Sequence, residues 1–154
     1  MAGIDLQELE RFIVAAREHT ALGQGRRVPP ERPGAVEIVY REGGLSYRDS
    51  YFGQSLILGQ EVVRRAGLPV WVMNYRIVVR DMGRGSEELA AFLQHAQQAR
   101  YRDRHLLGDY HYQERDLRYV DHSEGGLDLF QGETQVLRRE KELFSMHYCG
   151  GLVR

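Results

Sequence analysis

The chain has 154 residues, a net charge of −1 and 42% hydrophobic side chains. That length suits one domain able to bury a core without disulfide or metal staples, and the near balance of charge argues against a polyanion partner. No apolar run approaches the ~18 to 20 residues of a membrane helix, no basic-then-apolar leader is visible, and Cys149 alone forms no internal disulfide. A cytoplasmic protein without membrane or direct nucleic-acid contact is the expectation. Lys141 is the only lysine among 21 basic side chains, so arginine, which grips carboxylates bidentately, carries nearly all the positive charge.

In chain order, IDLQELERFIVAAREH predicts an amphipathic helix: Leu6, Leu9, Phe12, Ile13 and Ala16 recur at helical spacing, and Asp5 with Glu8 fits a capping box. The stretch ALGQGRRVPPERPG, rich in Gly, Pro and Arg, reads as a connection. Four strands are predicted at 35–42, 45–52, 56–65 and 69–79. A second helix is expected in SEELAAFLQHAQQAR, with Ser86 as N-cap, Glu87 and Glu88 in the first turn, and Leu89, Phe92, Leu93 and Ala96 on one face. Four further strands are predicted at 108–114, 117–123, 128–139 and 142–153.

These two series match. Leu9, Phe12 and Ala16 align with Leu89, Phe92 and Ala96. Tyr40, Glu42, Leu45, Tyr47, Asp49 and Gly53 align with Tyr112, Glu114, Leu117, Tyr119, Asp121 and Gly125. Gly59, Val63, Met73 and Tyr75 align with Gly132, Val136, Met146 and Tyr148. The expected architecture is therefore one α+β domain over 1–154, internally duplicated in units of about 1–80 and 81–154. Each unit is a helix plus a four-stranded antiparallel meander, and the two helices pack on a curved antiparallel sheet or on two sheets.

If Gly43-Gly44 is a two-residue turn, Glu42 faces Leu45, Tyr40 faces Tyr47, Ile38 faces Asp49 and Val36 faces Tyr51, all on one side of the sheet. The other side, with Glu37, Val39, Arg41, Ser46, Arg48 and Ser50, looks like a solvent face. Counting from Arg115-Asp116 likewise pairs Tyr112 with Tyr119 and Tyr110 with Asp121. An acid in each half, Asp49 and Asp121, is thus directed into an aromatic layer, where an unpaired carboxylate costs several kcal/mol or holds its proton. Either each acid is satisfied by a neighbour and only fixes the register, or the two line a central polar cavity. Trp71, Met73 and Tyr75, like Phe144, Met146 and Tyr148, read first as core. Asn74 and His147 lie on the opposite face, at matching positions that differ.

The run at residues 32–75 carries Arg-Pro-Gly at 32–34, Tyr-Arg-Asp-Ser-Tyr-Phe-Gly at 47–53, Gly-Gln-Glu at 59–61 and Pro-Val-Trp-Val-Met-Asn-Tyr at 69–75. With these elements it resembles a bacterial domain family of unknown function, often found C-terminal to an Xre-type helix-turn-helix in transcriptional regulators and here standing alone. The resemblance implies an effector or ligand-sensing module. This chain departs from the family at Arg76-Ile77, where members carry a glycine.

No Walker loop, nucleophile elbow or His-Glu-x-x-His motif is present, and the histidines show no tight metal spacing. The reading is a non-enzymatic small-molecule binding or sensing domain, without metal or cofactor, for a small polar or cationic ligand. The candidate ligand residues are Arg32, Tyr40, Glu42, Tyr47, Asp49, Tyr51, Glu61, Trp71, Asn74, Tyr112, Tyr119, Asp121 and His147. A small enzyme using the Asp/Glu/Tyr cluster, or a scaffold homodimerising through an exposed edge strand, are the alternatives.

Overall fold

A computed structural model describes residues 3–20, 25–80, 83 and 85–154. Its elements are α1 (Leu6–His19), β1 (Arg26–Val28), β2 (Val36–Glu42), β3 (Leu45–Phe52), β4 (Leu56–Arg65) and β5 (Leu68–Val79). They are followed by α2 (Ser86–Arg102), β6 (Tyr110–Glu114), β7 (Leu117–Gly126), β8 (Leu129–Arg138) and β9 (Lys141–Leu152). Among the described residues, no helix is long and apolar enough to cross a membrane.

Among the described residues, all nine strands belong to one antiparallel sheet in the order β1-β2-β3-β4-β5-β9-β8-β7-β6. This corrects the expected architecture, two four-stranded meanders under helices packed on a curved sheet or on two sheets. Two physical causes stand out. The last strands β5 and β9 are each 12 residues long and, left as edges, would each present a row of unpaired backbone groups. They pair with each other instead, from Trp71↔Leu152 through Tyr75↔Tyr148 to Val79↔Phe144. The Arg-rich connection also supplies a ninth strand, because Arg26–Val28 pairs with Glu37–Val39 on β2. Both edges of the finished sheet, β1 and β6, are short.

Local chemistry explains most element boundaries. The Asp5 carboxylate accepts from the amides of Gln7 and Glu8 at 2.8 and 3.0 Å and caps α1, while Glu8 turns to Arg65 at 2.6 Å. Ser86 is the first residue of α2 and not its cap; Gly85 stands at the cap and offers no side chain. The β2–β3 turn places Gly43 at φ 58°, and the register beyond it is Glu42↔Leu45, Tyr40↔Tyr47, Ile38↔Asp49 and Val36↔Tyr51. Arg115 does the work of Gly43 in the β6–β7 turn, at φ 56°, and that hairpin pairs Tyr112↔Tyr119 and Tyr110↔Asp121.

Leu9, Ile13 and Ala16 of α1 are fully buried in one cluster with Tyr47, Val63 and Trp71, while Leu89, Phe92 and Ala96 of α2 pack with Leu117, Tyr119, Val136 and Phe144. Leu143 joins that second cluster because the β8–β9 register shifts between Val136 and Leu137, and the bulge turns an extra residue inward.

One part of the opposite face is not solvent. Glu37 is 2% exposed and Ser50 5%, because the segment before β2 folds over them. The Glu37 carboxylate accepts from the amides of Glu31 (2.9 Å) and Arg32 (3.4 Å) and from the Arg48 guanidinium. Burial pushes its pKa up, but Arg48 and the two amides outweigh that and hold it below the ordinary range.

Candidate functional site: a cavity between the helices and the sheet

Between α1, α2 and the sheet lies a cavity of about 160 Å³. Two polar clusters reach it, one from each side, within walls that include Trp71, Tyr101, Phe130 and Met146.

The first cluster is assembled by register. Asp49 on β3 lies opposite Glu61 on β4, and Glu61 lies opposite Met73 on β5, so all three share the helix-covered face. Arg17 continues the apolar stripe of Ile13 and Ala16 on α1 and so points down at them. It grips Glu61 bidentately, Nε to Oε1 at 3.2 Å and Nη2 to Oε2 at 2.5 Å, and Nη2 also lies 3.1 Å from the Met73 sulfur. The Tyr47 hydroxyl donates to the same Glu61 Oε1. Asp49 is treated differently. Its one side-chain hydrogen bond among the described residues comes from the Tyr75 hydroxyl, at 2.6 Å, and no guanidinium lies within ion-pair distance. Burial, then the Glu61 charge, raises its pKa to about 7, against the smaller opposing effects of Tyr75 and Arg17.

The second cluster surrounds Asp121 on β7. This residue is wholly buried, and both oxygens are used: Thr134 donates at 2.6 Å, Tyr148 at 2.9 and 3.0 Å, and Arg100 at 3.2 Å. Arg100, four residues beyond Ala96 on α2, also donates to the Tyr119 hydroxyl (2.8 Å) and to the carbonyls of His105 (3.2 Å) and Leu106 (2.7 Å). Burial raises the pKa of Tyr119 to about 12, with Arg100 pulling the other way.

Two glycines shape both clusters. A Cβ on Gly59 would come within 2.2 Å of the Tyr75 ring, and one on Gly132 within 2.4 Å of the Tyr148 ring. Each ring therefore lies across a bare backbone, and this position carries its hydroxyl to the acid two strands away.

Of the residues expected from sequence, Tyr47, Asp49, Glu61, Trp71 and Tyr119 line the cavity, and Asp121 sits behind its wall beneath Tyr148. Trp71 anchors its indole N–H on the Leu127 carbonyl at 3.1 Å. The others are elsewhere. Tyr51 packs against the core beside the cavity. Tyr40 donates to Glu42 under Phe12 and His19, and Tyr112 donates to Glu114 at 3.0 Å beneath Phe92. Arg32 reaches Ser50 at 2.8 Å and covers the Phe52 ring on the far face. Asn74 and His147 also lie on that face: Gln60 donates to Asn74 at 2.8 Å, and His147 lies 3.4 Å from Glu133. These two belong to a broad open depression of about 680 Å³ that includes Arg76 and Cys149.

Sequence reasoning missed Arg17, Arg100, Thr134 and the hydroxyls of Tyr75 and Tyr148. A signal for the arginines existed: each continues the apolar stripe of its helix, a place for a charge only when a buried partner waits. Among the described residues no three His, Cys, Asp or Glu side chains are grouped to hold a metal ion.

No match to the chain was found among curated proteins or among solved structures. Residues 49–153 do match a family profile, a span that opens on Asp49 and takes in Glu61, Tyr75, Arg100, Asp121 and Tyr148, with Arg17 and α1 before it. The chain belongs to the family described as domain of unknown function (DUF5680).

Proposed function

We propose that the protein is a non-enzymatic small-molecule binding or sensing domain whose ligand occupies the cavity between the helices and the sheet. The observation that carries this reading is the cavity itself: about 160 Å³, walled by aromatic rings, with a few convergent polar groups of which Asp49 is only half-satisfied. Well-packed interiors close such volumes, and here one carboxyl oxygen of Asp49 is left open for an incoming polar group.

The setting we propose is the cytoplasm, and the role is that of an effector module for a helix-turn-helix regulator, on the strength of the resemblance of residues 32–75. We also read the matching positions of the two halves as an internal duplication. The paired glycine and tyrosine arrangements, Gly59 with Tyr75 and Gly132 with Tyr148, support it.

The test is a thermal-shift screen of charged and neutral small molecules against the parent chain and Gln97→Trp, which places an indole in the cavity from α2. Saturable stabilisation of the parent and none of the variant is expected. Equal stabilisation of both would move the site out of the cavity.

A further inference from the structure

Charge pairing in the cavity is uneven, and this selects among ligands. Four charged groups are matched as two ion pairs, Arg17 with Glu61 and Arg100 with Asp121. The charge of each arginine is thus already balanced by a carboxylate, which leaves an anion little electrostatic gain. Arg17 is committed to both Glu61 oxygens and the Met73 sulfur, and Arg100 to a hydroxyl, a carboxylate and two carbonyls. Asp49 is the fifth charged group. It faces Glu61 from β4, Tyr75 from β5 and Tyr47 on its own strand, while Arg17 comes down from α1 onto Glu61. The corresponding place in the other half explains the surplus: Thr134 lies opposite Asp121 where Glu61 lies opposite Asp49, so one half has an acid facing a hydroxyl and the other an acid facing an acid.

We infer that the ligand is a compact organic monocation, a primary ammonium or similar, whose charge sits on Asp49 with its carbon frame against the aromatic walls. This deepens the proposed function and rests on it. One surplus carboxylate matches a single positive charge. Ring faces of the kind that Tyr47, Trp71, Tyr101 and Phe130 supply favour cations. Size follows from volume: a cavity of about 150 Å³ accepts benzene, so a ligand of about six to eight non-hydrogen atoms fits. In its absence the proton on Asp49 stands in for that charge, since the carboxyl titrates at about 7. A cation must displace the proton, so it binds more tightly as pH rises through that value.

The experiment titrates the parent chain by calorimetry with cyclohexylammonium and with cyclohexanol, its uncharged counterpart of the same shape, at about pH 8 and about pH 5.5. Cyclohexylammonium keeps its charge at both. The expected result is saturable binding of the cation, roughly thirtyfold tighter at the higher pH because only the ionised Asp49 is competent, and weaker, pH-independent binding of the alcohol. Asp49→Asn should remove the preference for the cation and its pH dependence; the pH comparison on the parent chain stands whether or not the variant folds. If the alcohol binds as tightly as the cation at both pH values, the monocation proposal is overturned while the cavity remains a binding site. If neither ligand binds at millimolar concentration, both readings are overturned.

Discussion

Asp49 and Glu61 stand directly opposite each other on β3 and β4, two carboxyl side chains on the covered face of one sheet. Like charges in such a cross-strand pair oppose folding, and here only Glu61 has a guanidinium. Burial and the facing Glu61 charge raise the Asp49 pKa to about 7, so the conflict is eased below that value, where Asp49 holds its proton.

A pH dependence follows. Asp49 titrates near 7 when folded and near 3.8 when free, so between those values the folded chain binds the extra proton. Its contribution favours the folded state at low pH and is lost as pH rises toward 7. Asp49→Asn mimics the protonated form. The variant should match the parent near pH 4 and exceed it by on the order of 2 kcal/mol near pH 8, after allowance for water in the cavity. Denaturant midpoints of both chains across that range are the measurement, and a constant difference between them would show that Asp49 is ionised throughout.

Gly59→Ala should drive the Tyr75 ring off its strand, since the new Cβ would lie 2.2 Å from it. A loss of about 1 to 3 kcal/mol is expected, with the hydrogen bond to Asp49 broken. Gly132→Ala should do the same to Tyr148, with a larger effect because the Asp121 it serves is completely buried. Thermal or denaturant unfolding ranks the two; an order reversed from this would mean that Asp121 holds without Tyr148.

Arg100→Met leaves Asp121 buried beside two neutral donors and without its cation. That should destabilise by about 3 to 5 kcal/mol, and adding Asp121→Asn should recover a large part of the loss. A double-mutant cycle measures the coupling. Additive effects would mean that Arg100 acts through the Tyr119 hydroxyl and the carbonyls of His105 and Leu106, and not through Asp121.

Arg115 adopts φ 56° where the matching turn has Gly43. Arg115→Gly should relieve that strain and stabilise by about 0.5 to 1 kcal/mol, against the added freedom of the unfolded chain. A lower unfolding midpoint in the variant would show that the arginine is comfortable there.

Much of the local structure was legible because it is written in short-range chemistry. Gly43-Gly44 fixed which residues face each other around the first hairpin, and the period of Leu9, Phe12 and Ala16 located α1. The joining of β5 to β9 was not legible, since an edge strand's partner is set by what remains unpaired after every hairpin has formed, which no local pattern encodes. The burial of Glu37 was hidden for a similar reason: the alternation of β2 turns it outward, and only the path of the preceding segment covers it. At the cavity, the acids could be read from strand alternation. Their partners Arg17 and Arg100 come from helices distant in sequence, and the decisive contrast, Glu61 against Thr134, gains meaning only when both are seen opposite an aspartate.

The pairing of β5 with β9 also bears on synthesis. A nascent chain that has emerged through Val79 carries twelve residues of open strand edge, and its partner begins only at Lys141. Everything between, including all of α2 and three strands, must be made before that edge is covered. Contacts so far apart in sequence form slowly, and a bare edge invites pairing with a neighbouring chain on the same polysome. Arg76, exposed on β5, places a charge on the strand during that interval, where it discourages such contact until β9 arrives.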